Sequence, residues 1–271
     1  MEESTEPAVA YGLRGRKFVV TGGSRGLGFA TARLLAAEGA SVAICGRDTA
    51  QLERAAAELE QTYGARVFTA PVDVLAPNEL EDFTDEAGHA FAGLDGIVAN
   101  VGGKRGAGLL DSTREDWQTT WELNGGHAVR ALRAGLPHLR AGSSVVLVSS
   151  ISGWKARFPA QYGAAKAAEI YLAGALCQEL APQRVRVNTV SPGSILLPGK
   201  SWDRLRLRDP EAYAAYAERN PSGRLLHAEE VARVIAFLLS AASGAVNGAH
   251  IPVDGGQPQA GLNPAPTSPT T

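Results

Sequence analysis

The chain has 271 residues, is 45% hydrophobic and 20% charged, and sets 26 Lys and Arg against 28 Asp and Glu. A net charge of −2 leaves no electrostatic footprint for nucleic acid, and no apolar run approaches the ~18 residues of a membrane helix. Residues 1–10 are acidic and lack the basic and apolar regions of a secretion signal, so a cytoplasmic protein is expected.

In chain order, short apolar runs read as strands at 17–20, 42–45, 66–70, 96–99, 144–148, 185–190 and 249–253. Amphipathic, Ala-rich stretches between them read as helices near 27–38, 49–62, 77–91, 113–138, 160–180 and 228–240. Strands apolar on both faces and separated by helices predict an α/β fold. Specifically, they predict one Rossmann-like domain, a doubly wound parallel sheet of about seven strands with helices on both faces. The domain is expected to span 14–256, after a flexible arm at 1–13 and before a disordered tail rich in Pro, Ala and Thr at 257–271. Residues 194–226 stand outside the alternation and read as a lid. Cys45 and Cys177 lie far apart in apolar segments and read as buried hydrophobes, not a disulfide. His89, His127, His138, His227 and His250 show no ligand spacing and no Cys or carboxylate company, so no metal site is expected.

The first strand runs into Thr21-Gly22-Gly23-Ser24-Arg25-Gly26-Leu27-Gly28, which opens the first helix. Glycines there let a phosphate approach the free N–H groups of the helix N-terminus. Farther on, Tyr162 and Lys166 stand four residues apart on one helix face, and Ser150 ends the apolar run before them. An ammonium beside a phenol favours the phenolate, which tunes the phenol for proton transfer. Asn124 is followed by Gly125-Gly126 inside the helix 113–138. Each glycine costs about 1 kcal/mol there relative to Ala, so a local distortion or a close packing contact is expected.

The Thr-Gly-x-x-x-Gly-x-Gly loop and the Tyr-x-x-x-Lys pair, with Asp73-Val74, Asn100-Val101-Gly102 and Ser191-Pro192-Gly193 after later strands, resemble the short-chain dehydrogenase/reductase family over roughly 14–256. The C-terminal pattern, from Glu229-Glu230-Val231-Ala232 to Asp254-Gly255-Gly256, is similar to the 3-oxoacyl-carrier-protein reductase branch. The resemblance implies carbonyl reduction by hydride transfer from a nicotinamide cofactor, with Asn124, Ser150, Tyr162 and Lys166 as the catalytic set. Ser150 matches the Ser-x-x-Gly pattern, although its spacing to Tyr162 is one residue shorter than in some relatives, and Ser149 is the alternative. The cofactor set implied is Gly22, Ser24, Arg25, Gly26, Leu27, Gly28, Arg47, Asp73, Val74, Asn100, Gly102, Tyr162, Lys166, Pro192, Gly193 and Ile195. In this family Arg at positions 25 and 47 accompanies NADP(H), and two guanidiniums suit a 2′-phosphate. Asp48 suggests NAD by its distance from Gly28, but it precedes a helix with Gln51 at the third position, a capping-box pattern. One departure is Leu197, where the family often places Thr against the nicotinamide.

The helix 160–180 is apolar nearly all round, which with the resemblance implies a homo-oligomer, a dimer or tetramer. Trp154, Phe158, Trp202, Tyr213 and Tyr216 predict an apolar pocket for a bulky carbonyl substrate. Rival readings at this stage are an NAD-dependent alcohol dehydrogenase, a cofactor sensor that lost catalysis, and an elimination or epimerisation on the same fold.

Overall fold

The computed structural model describes residues 11–258. Seven strands form one wholly parallel sheet: β1 (Lys17–Val20), β2 (Ser41–Gly46), β3 (Val67–Pro71), β4 (Leu94–Ala99), β5 (Leu139–Val148), β6 (Arg186–Pro192) and β7 (His250–Val253). Their order is β3-β2-β1-β4-β5-β6-β7, the doubly wound arrangement expected from the alternation.

Successive strand residues point to opposite faces, so each strand feeds two cores. Phe18, Val20, Val42, Ile44, Val146 and Val148 meet α1 (Gly26–Ala37), α2 (Thr49–Tyr63) and α9 (Ala228–Leu239) on one side. Val19, Ala43, Cys45, Val145 and Leu147 meet α3 (Glu79–Ala90), α5 (His127–Gly135) and α6 (Ala160–Glu179) on the other. Burial in this second core pushes the Cys45 thiol up to about 12.

The predicted helix 113–138 is divided. Thr113 caps α4 (Arg114–Trp121) with a complete capping box to Asp116, and a π-helical turn over Glu122–Gly126 joins it to α5. Of the two expected causes the distortion is present, and the glycines make room for their own preceding turn. The helix is distorted, and a Cβ at Gly125 would press on the Trp121 ring at 2.9 Å.

The predicted lid contains α7 (Ser201–Arg208) and α8 (Pro210–Ala217). A parallel bridge between Ile195 and Leu226 pins its base, and Trp202 stacks on Tyr216 with ring centroids 4.0 Å apart. The expected boundaries shift at both ends. Leu13 is buried in the core rather than part of an arm, and the Tyr11 N–H donates to Glu38. Gln257, assigned to the tail, is 3% exposed. The remainder of that arm and tail, residues 1–10 and 259–271, lies outside the described residues. Among the described residues no helix is long and apolar enough to cross a membrane.

Candidate active site

Two adjoining depressions open at the carboxyl ends of the strands, beside the point where strand order reverses between β1 and β4. The first is a groove of about 720 Å³. Gly22, Ser24, Arg25, Gly26, Leu27 and Gly28 form its floor, and Arg47, Asp73, Val74, Asn100 and Gly102 line its walls. Gly22 and Gly26 have φ of +65° and +60°, and a Cβ at Gly28 would collide with the Gly22 carbonyl. Only glycine fits this turn. Thr21 ties the loop to β4: its hydroxyl accepts from the N–H groups of Asn100 (2.9 Å) and Val101 (3.2 Å), while Asn100 Nδ2 donates to the Thr21 carbonyl.

Arg25 and Arg47 are exposed in this groove and form no ion pair among the described residues. Lys200, from the lid, joins them. Burial, with Arg25 and Arg204 nearby, holds its ammonium below the usual lysine range. Asp48 is committed to capping α2, accepting from Gln51 N–H at 2.9 Å. Only half of the expected capping box forms, because the Gln51 amide donates instead to the Ser24 carbonyl and fastens α2 to the glycine loop.

The second depression, about 480 Å³, shares Leu27, Asn100, Gly102, Leu197 and Lys200 with the first. It brings Ser150, Tyr162 and Lys166 together with Pro192, Gly193 and Ile195, under Phe158, Trp202 and Tyr216. The two serines differ in their partners. Ser149 is buried and donates to the Lys166 carbonyl at 2.7 Å. Ser150 is half-buried and accepts from Ser152 N–H at 3.1 Å, and its own proton meets no acceptor among the described residues.

Lys166 is 1% exposed, and its ammonium donates to the Val148 carbonyl at 2.7 Å. It also meets both carboxylate oxygens of Glu169, at 3.1 and 3.0 Å. A Cβ at Gly102 would stand 2.9 Å from that ammonium, so glycine is what leaves room for it. Asn124 is fully buried and lines neither depression. Its amide donates to the carbonyls of Gly103 (2.7 Å) and Thr120 (2.6 Å), which braces the turn after β4.

Sequence reasoning passed over Lys200, His127 and Glu169. His127 and Glu169 could have been noticed as polar residues three positions beyond Asn124 and Lys166, on the buried face of each helix. It also judged the histidines to lack carboxylate company, and the fold corrects this. Asp85 and His89, one turn apart on α3, meet His138 from the turn before β5, with His138 Nε2 2.8 Å and His89 Nε2 3.4 Å from the carboxylate. Sequence spacing could not show a contact made across two elements.

The family description matching residues 22–257 is "Enoyl-(Acyl carrier protein) reductase". Tropinone reductase-like 3 of Erythroxylum coca is 31% identical over 95% of this chain and 99% of its own. The 3-oxoacyl-[acyl-carrier-protein] reductase FabG of Chlamydia trachomatis is 33% identical over 88% of this chain and 95% of its own. The crystal structure of L-sorbose reductase from Gluconobacter frateurii, complexed with NADPH and L-sorbose, superposes with a TM-score of 0.86 at 30% identity, covering 92% of this chain and 98% of that one. With the glycine loop, the serine, tyrosine and lysine in one cavity, and the match along nearly its whole length, the chain belongs to the short-chain dehydrogenase/reductase family of oxidoreductases.

Proposed function

We propose that the protein reduces a ketone or other carbonyl compound to an alcohol with NADPH. One observation carries this reading: Ser150, Tyr162 and Lys166 line a single cavity that shares a wall with a groove in which the Arg25 and Arg47 guanidiniums form no ion pair among the described residues. The glycine loop, which a Cβ would block, fits a pyrophosphate at the N-terminus of α1. Arg25, Arg47 and Lys200 suit the 2′-phosphate, and Asp73 and Val74 are placed for the adenine. The solved NADPH complex of the sorbose-reducing relative supports the same cofactor.

NADPH, when bound, supplies the hydride. Ser150 offers its hydroxyl proton to the substrate carbonyl oxygen and orients it. Tyr162 donates the proton that this oxygen takes up. Lys166, one helical turn along α6, holds a positive charge beside the phenol and a donor toward the cofactor's ribose. Asn124 keeps the turn after β4 in place through its side-chain amide, which accepts from the Gly103 N–H and donates to the Gly103 carbonyl. Trp202, Tyr216 and Phe158 give the pocket apolar walls for a bulky substrate. The outer face of α6 carries Tyr171 at 79% exposure, and a second copy of the chain is its proposed cover. The lid is read as residues 194–226.

The test is NADPH and NADH oxidation by purified protein over ketones, 3-oxoacyl thioesters and quinones, with Tyr162→Phe as control. Turnover with NADPH that the variant loses supports the proposal. Cofactor binding of equal strength in both proteins, without turnover of any carbonyl, overturns it.

A further inference from the structure

We propose that Glu169 is a positioning residue of this active site: its carboxylate fixes the ammonium of Lys166 and sets the charge under which Tyr162 gains and loses its proton. The inference rests on the reading of Tyr162 and Lys166 just given.

Tyr162, Lys166 and Glu169 fall at i, i+4 and i+7 of α6 and share one helix face. Glu169 is fully buried, and among the described residues the cation that its side chain meets is Lys166. A buried carboxylate is a poor device for stability, since an apolar residue of similar size serves as well without the desolvation cost. Its presence is better explained by its partner. Two of the three ammonium protons go to Val148 and Glu169, which leaves one for the cavity that Lys166 lines.

The surroundings leave this control to few groups. On α6 the neighbouring titratable groups are Lys166 and Tyr162. From α5, His127 feels the Lys166 charge, and burial pushes it down to about 3, so it is neutral at working pH. From β5 and β6 come the Val148 carbonyl, on Lys166, and the Thr189 hydroxyl, which donates to the Glu169 main-chain carbonyl at 3.3 Å. Burial raises the Glu169 carboxyl to about 7 against the opposing pull of Lys166. The pair therefore passes from a bare cation to a neutralised one as pH rises through neutrality, and the positive field on the phenol weakens.

The experiment follows phenolate ultraviolet absorbance against pH in cofactor-free protein, taking the difference from Tyr162→Phe to isolate the Tyr162 signal. It is run on wild type, Glu169→Gln and Glu169→Asp. The Gln variant keeps the shape and loses the charge. A unit charge about 10 Å along the helix is expected to move the phenolate midpoint about 0.5–1 pH unit lower when removed. The alkaline limb of the kcat profile for reduction should move with it, and Glu169→Asp should restore both toward wild type. A Gln variant with the wild-type midpoint overturns the inference.

If the variants do not fold, wild-type protein with ¹³C-labelled Glu carboxyls decides. One resonance that titrates near neutrality and is displaced by Tyr162→Phe supports the inference. Carboxyls that all titrate in the ordinary range, or one indifferent to Tyr162, overturn it. An active Tyr162→Phe defeats the reductase reading itself. An inactive Tyr162→Phe beside an unshifted Gln variant defeats the Glu169 assignment alone.

Discussion

His127 Nδ1, at the start of α5, lies 2.6 Å from the main-chain carbonyl of Asn124 in the middle of the π turn. A carbonyl only accepts, so Nδ1 carries the proton, and Nε2 faces the Thr21 hydroxyl at 3.4 Å as the acceptor. The imidazole is thus a neutral brace between the glycine loop and the distorted helix.

This brace and the Glu169 carboxyl predict a compensated pH response. His127, lowered to about 3, stays unprotonated in the folded chain while the unfolded chain takes up a proton below about pH 6.5. Its contribution is complete above that pH and falls by about 1.4 kcal/mol per unit on acidification. Glu169, raised to about 7, behaves oppositely: its contribution is complete below its unfolded value near 4.5 and falls as pH rises toward 7. Between about pH 4.5 and 6.5 the two slopes cancel. Urea denaturation at about pH 5 and 6.5 should give wild type nearly equal stability. His127→Gln should be less stable at the higher pH, and Glu169→Gln less stable at the lower pH, each by about 2 kcal/mol. Parallel changes in all three proteins would contradict the compensation.

The adjacent serines should separate cleanly. Ser150→Ala is expected to lower kcat about 10²- to 10³-fold with little change in melting temperature. Ser149→Ala removes a buried hydrogen bond to the Lys166 carbonyl and should cost about 1 kcal/mol of stability. Steady-state kinetics and thermal melts on the two variants test the assignment, and a kcat loss confined to Ser149→Ala would reverse it.

Cofactor preference should follow the guanidiniums. A charge-assisted contact to a 2′-phosphate is worth about 1.5–3 kcal/mol, so Arg47→Asp should lower kcat/KM for NADPH roughly 10- to 150-fold. NADH should lose little. The ratio of the two kcat/KM values is the measurement, and an unchanged ratio would remove Arg47 from the phosphate site.

The lid should loosen when its C-terminal tether is cut. Gln257 accepts from Ser194 N–H at 2.9 Å and donates to the Tyr216 hydroxyl at 2.8 Å. The Lys155 ammonium holds the neighbouring Asp254 carboxylate at 2.8 Å and also donates to the Gln257 carbonyl. Gln257→Ala should speed proteolytic cleavage within 198–223 several-fold, because lost buried hydrogen bonds of about 1–3 kcal/mol lower the cost of local opening. Unchanged cleavage rates would show that the Ile195–Leu226 bridge holds the lid alone.

The sheet could be read from the chain because the strands are short apolar runs that alternate with Ala-rich helices, some of which announce their start. Asp48 before α2 is an example, whereas the paired glycines after Asn124 signalled a distortion inside a helix and not the division that the fold shows. The serine, tyrosine and lysine of the site were legible for a similar reason: their spacing on one strand end and one helix face is local. What escaped was set by contacts across elements. Lys200 reaches the cofactor groove only when the lid folds over, and His138 meets Asp85 only when two helical segments pack. Glu169 was visible as a charge in an apolar helix, but its burial against Lys166 depends on the sheet beneath it.

The strand order carries a consequence for synthesis on the ribosome. β1 and the glycine loop emerge early, but β1 lies between β2 and β4, and Phe18 must wait for Gly96 to complete its pairing. The wall holding Asn100 and Gly102 arrives with that same strand. A nascent chain ending before β4 therefore exposes one raw edge of β1 and owns only half a cofactor groove. Nucleotide can begin to stabilise the growing protein only after the fourth strand is in place, and until then that edge of β1 stays open to pairing elsewhere.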